Sequence, residues 1–85
     1  MYKCKVSGLT VYETLDELLN ANVTDMFEYN GNYYISVYPE EFYDESVWKV
    51  NKKTEDVSVI HYVETFSIPK EERIPIDPET LRRAR

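Results

Sequence analysis

Lys and Arg are missing from a long stretch of this 85-residue chain. None occurs between Lys5 and Lys49, a span that holds nine acids. Glycine is almost absent too, with only Gly8 and Gly31, so no glycine-rich phosphate loop or dinucleotide fingerprint can be written. One cysteine, Cys4, and one histidine, His61, exclude an internal disulfide and are too few for a zinc site. No apolar run approaches the ~20 residues that span a bilayer, and no apolar leader follows Met1–Lys5. These absences lead us to expect a soluble, unprocessed, cytoplasmic protein with no membrane partner.

Sixteen carboxylates against ten Lys and Arg leave a net charge of −6. Nucleic-acid binding depends on cations that displace counterions from phosphates, so direct binding to nucleic acid is not expected. A chain this short supports one core. Eight tyrosines count among its apolar residues, and their hydroxyls need water or a partner, so that core is thin.

The pattern predicts an α+β fold, an antiparallel meander of about four to five strands with one short helix packed on one face and an extended C-terminal tail. Tyr2–Val6 alternates with period two and reads as a short strand. Thr14 and Glu17 have capping-box spacing before Leu15, Leu18 and Leu19, which then share a helical face; Thr10 with Glu13 is an alternative start. Asn30-Gly31 calls for a type I′ hairpin turn. That turn sets Tyr29 opposite Asn32, Phe27 opposite Tyr34, Met26 opposite Ile35 and Thr24 opposite Val37. Met26, Tyr33, Ile35 and Val37 then share one face, and Phe27, Tyr29, Tyr34 and Tyr38 the other. A second hairpin through a Lys52–Glu55 loop opposes Trp48 to Val59 and Val50 to Val57, four expected core residues. Pro39–Glu45 reads as one helical turn. Residues 1–66 form the expected domain. Residues 67–85, with three of the four prolines, read as a partly ordered tail in which Asp77-Pro78 can cap a final helical turn.

Few residues suit catalysis. A Cys4–His61 pair would still lack an oxyanion site, and His61 reads as an ordinary strand residue. Glu40, Glu41, Asp44 and Glu45 have i, i+4 spacing, but without a sharp-turn glycine they read as a solvated acidic turn. We therefore expect no enzyme, no cofactor and no metal.

What remains is the coincidence of acids with aromatic rings. A helix of about eight residues cannot cover both faces of the sheet, so the Phe27, Tyr29, Tyr34, Tyr38 face is expected to stay open unless the tail or a second subunit covers it. Tyrosines add contact area at low entropy cost, and carboxylates steer a basic partner. The expected partner-binding set is Asp25, Glu28, Tyr29, Tyr34, Tyr38, Glu40, Glu41, Tyr43, Asp44 and Glu45. Its expected target is a basic protein surface, such as that of a nucleic-acid-binding protein or nuclease. In size, acidity and lack of catalytic groups the chain resembles the small phage-encoded antagonists of bacterial defence, anti-CRISPR proteins and DNA mimics among them; composition carries that resemblance, not a motif. Antitoxins and immunity proteins share the outline. The alternative is a structural or accessory subunit that homodimerises through the tyrosine face.

Overall fold

The computed structural model describes residues 12–37 and 46–85. The expected strand at Tyr2–Val6 and the turn at Pro39–Glu45 lie outside these residues. Helix α1 (Leu15–Leu19) begins at the expected cap: Thr14 Oγ1 accepts from Glu17 N at 3.1 Å, and Glu17 Oε1 accepts from Thr14 N at 3.2 Å. Such a cap contributes about 1 kcal/mol, a substantial share for a five-residue helix that could not persist alone. Leu15, Leu18 and Leu19 are all buried.

Strands β1 (Val23–Tyr29) and β2 (Asn32–Val37) flank Asn30 and Gly31, at φ 54° and 83°. Both residues thus hold the left-handed conformation that a type I′ turn demands. Strands β3 (Ser46–Asn51) and β4 (Val57–His61) form the second hairpin, and β5 (Ile74–Pro75) pairs antiparallel with β1. The resulting five-stranded sheet has the order β4-β3-β2-β1-β5. It is an α+β antiparallel meander with a short helix on one face.

The expected register holds from Tyr29↔Asn32 to Asp25↔Ser36 and then slips. Val37 pairs with Val23 rather than Thr24, because a bulge separates Val23 from Asp25. The extra residue turns Val23 to the face of Met26, where it packs against the core; Thr24 stays exposed, its hydroxyl donating to Ser36 O at 3.3 Å. In the second hairpin the pairs Trp48↔Val59 and Val50↔Val57 occur as expected, but Val59 is not core. It is 50% exposed, because β4 is an edge strand and the short α1 covers the central strands.

Two hydrophobic clusters sandwich the sheet. Beneath α1 lie Met26, Ile35, Val37, Trp48 and Val50, with Tyr12 edge-on to Trp48 at 5.2 Å. On the opposite face Phe27, Tyr34, Val47 and Ile68 are buried together. Ile68 belongs to the segment expected to be a partly ordered tail. The chain runs from β4 through 3₁₀ turns at Tyr62–Ser67 and Lys70–Glu72 to β5, and from there to α2 (Pro78–Ala84). Helix α2 is capped by Asp77, whose side chain accepts from Glu79 N at 3.0 Å. Ile76 and Leu81 pack against the cluster under α1, so residues beyond 66 serve both cores rather than trailing from them. The sequence concealed this because a segment rich in prolines and charges has no period of its own; its few apolar residues are each placed by the sheet they meet.

Candidate interaction surface

Among the described residues of the aromatic face Phe27 and Tyr34 are buried and Tyr29 is half-buried, with cover from the C-terminal segment, one of the two expected covers. Phe27 and Tyr34 stack across the β1–β2 pair at 5.2 Å and 11°, and Tyr34 is only 8% exposed. Its cover is the chain itself. The Arg73 guanidinium lies 4.6 Å from the Phe27 ring centre, and its Nη2 donates to Thr65 O at 2.7 Å and Ile68 O at 3.0 Å. One side chain thereby ties the crossing segment to the sheet through a cation–π contact and two charged hydrogen bonds.

Two recesses flank Ile68. The larger, about 430 Å³, is lined by Phe27, Ser36 and Thr65, with Asp25, Lys70 and Arg73 as its charged residues. The smaller, about 220 Å³, is lined by Tyr29, Tyr34, Lys49 and Glu64. The structure thus brings Asp25, Tyr29 and Tyr34 of the expected set to one face. Burial raises the pKa of Tyr34 most; Tyr29 and Glu64 raise it further, and Asn32 opposes them through a hydrogen bond.

Glu28 stands apart, on the other side of the sheet. Its carboxylate takes Lys52 Nζ at 2.8 Å, and that hydrogen bond is the chief reason the Lys52 pKa is raised. Tyr38, Glu40, Glu41, Tyr43, Asp44 and Glu45 lie outside the described residues. So does Cys4; His61 is exposed at the end of β4. Among the described residues no group of three or more His, Cys, Asp or Glu converges as metal ligands, and no helix is long and apolar enough to cross a membrane.

Three arginines of the C-terminal half bind within the fold, whereas Lys53, Lys70 and Arg83 are exposed. Arg82 donates from Nε to Leu19 O at 3.1 Å, satisfying a carbonyl at the end of α1, and also pairs with Glu79. Arg85 bonds Glu55 twice at 3.0 Å and also holds Asp16. Its hydrogen bond is the main cause of the depressed Glu55 pKa, and reciprocally the Arg85 pKa is raised, first by Glu55 and then by Asp16. Periodicity gave no sign of these roles for Arg73, Arg82 and Arg85, since none lies in a patterned apolar segment. By contrast, the acids Glu13, Asp25, Asp56, Glu71 and Glu72 are exposed and have no ion pair among the described residues. Each ion pair uses one charge of either sign, so the negative excess stays that of the composition, and these unpaired acids share the surface with exposed Lys53 and Lys70, which likewise have no ion pair among the described residues. Comparison with family models, curated proteins and solved structures finds no match.

Proposed function

We propose that the protein is a small acidic, non-enzymatic binding module whose target is a basic protein surface, in the manner of an inhibitor or antagonist of a nucleic-acid-binding protein. What carries the reading is the division of charge. Arg73 and Arg82 are engaged by backbone carbonyls, Arg85 by two carboxylates and Lys52 by Glu28; Asp25, Glu71 and Glu72 are exposed without an ion pair, as are Lys53 and Lys70, and the balance of the whole chain is −6. A protein built this way presents to a partner mainly the charge it has not consumed. Carboxylates fixed on a small rigid surface compete with phosphates for the same Lys and Arg side chains and raise encounter rates at low salt.

Asp25 lies at the larger recess with Ser36, together with Lys70 and Arg73, so its exposed carboxylate is the acidic group there for an arriving Lys or Arg. It is fixed by the β1–β2 ladder, through its pairing with Ser36. The test is a variant combining Asp25→Asn, Glu71→Gln and Glu72→Gln, compared with wild type for its association rate with a purified partner. These side chains are exposed, so thermal stability should hardly change while association slows about tenfold or more at low salt. Unchanged association with an intact fold contradicts the reading.

A further inference from the structure

Helix α2 is held by contacts of a kind that a second molecule could supply. None of its seven residues is fully buried, and a helix of that length does not persist alone. Its apolar anchor is Leu81, half-buried against the cluster under α1. Its polar anchors are arginines. Arg82 donates from Nε to Leu19 O at 3.1 Å, and Arg85, which follows the helix, joins Glu55, twice at 3.0 Å, to Asp16. The side chains of that cluster are between 27% and 63% exposed, where ion pairs add little to stability. Elements with so few buried contacts open locally, at lower cost than the sheet they lie on.

The seat under α2 calls for a cation. Asp16 is near enough to Glu55 to oppose the Arg85 hydrogen bond that lowers the Glu55 pKa, so without a guanidinium between them these two carboxylates repel. Glu55 also holds the left-handed backbone, φ 63°, where Gly or Asn is the commoner occupant; the loop thus presents a carboxylate at a position that resists one. Residues 14–19 and 52–56, which carry the seat, hold four acids against Lys52, which Glu28 already binds, and Lys53. We propose, on the reading of a basic partner, that this seat is a binding site for a basic amphipathic helix of the partner and that α2 is its built-in competitor. The occupant's chemistry follows from α2 itself: Leu81 and Arg85 are one helical turn apart, the first on the apolar cluster and the second between two carboxylates.

The probe is an acetylated, amidated peptide with the sequence of residues 77–85, titrated to millimolar concentration onto the isotope-labelled full chain and followed by NMR. In wild type α2 competes as a tethered ligand, so amide shifts at Asp16, Leu19 and Glu55 should be small. Arg85→Gln keeps Leu81 but removes the central cation of the strap. In that variant the same shifts should saturate, with an apparent affinity about tenfold or more above that of wild type, because more of the chain has its seat open. Adding Asp16→Asn and Glu55→Gln should abolish them, as should Leu81→Asn in the peptide. Circular dichroism of each variant confirms that the sheet is intact. No shift in Arg85→Gln at millimolar peptide, or shifts indifferent to the two acids and to the leucine, overturns the proposal. Peptide binding needs no natural partner, so a seat that takes the peptide stands even where no basic partner is captured, and that second failure falls on the functional reading alone.

Discussion

Tyr34 shows how one side chain can belong to an interior and still look like a binding residue. Its ring is enclosed by Phe27 and the crossing segment, and its raised pKa follows chiefly from that enclosure. The neutral phenol is favoured in the folded state, so this stabilisation is complete below the ordinary tyrosine range. It is lost as pH rises from there through the raised folded value. Spectrophotometric titration at alkaline pH should find one tyrosine that ionises late, and Tyr34→Phe should remove that component and flatten the alkaline loss of stability. Glu55 behaves in the opposite sense. Its carboxylate is held below the usual range by Arg85, so its contribution is present above that range and lost as pH falls through the lowered value. Glu55→Gln should be less stable than wild type at neutral pH, and the gap should close in acid. Asn30, at φ 54°, gives a purely backbone test: Asn30→Ala should cost about 1 to 2 kcal/mol in chemical denaturation, and Asn30→Gly almost nothing.

Among the elements, those legible in the sequence carry their own signal. Thr14 with Glu17 announces α1, and Asn30-Gly31 announces a hairpin and most of its register. The bulge at Thr24 was hidden, because it answers a tertiary demand, the burial of Val23 under α1. Hidden for the same reason were the roles of β5, α2 and Arg73, which exist only where the sheet offers an edge, a core or a pair of carbonyls. The candidate site was legible only in part. Asp25, Tyr29 and Tyr34 do share a face, but how far that face is covered depends on Ile68 and Arg73, far along the chain from these strands. Helix α2 should matter well beyond its seven residues, since Leu81 packs on the main core and Arg82 caps α1. Leu81→Ala should cost about 1 to 2 kcal/mol, below the range for fully buried leucines because the side chain is half-buried. Trp48→Ala, in the centre of that core, should cost about 3 to 5 kcal/mol. An equally stable Leu81→Ala variant would mean that α2 merely rests on the surface.

For the whole molecule the governing feature is the direction in which charge is spent. Cations near the C-terminus close the fold upon itself, tying α2 to α1 and the crossing segment to the sheet. Among the described residues Asp25 on β1 and Glu71 and Glu72 in a 3₁₀ turn remain exposed on ordered elements, which favours fast encounter with a positive surface at little further ordering cost. The same inward use of arginine explains how so small a core is held on both sides of the sheet. The most direct test is a salt-graded capture, in which the immobilised protein is exposed to native lysate, washed, and eluted at rising ionic strength, with eluted proteins identified by mass spectrometry. The account predicts a basic partner released steeply between about 50 and 300 mM salt, as screening shortens the reach of exposed charges. A partner that is acidic, or one that stays bound at high salt as an apolar contact would, contradicts it.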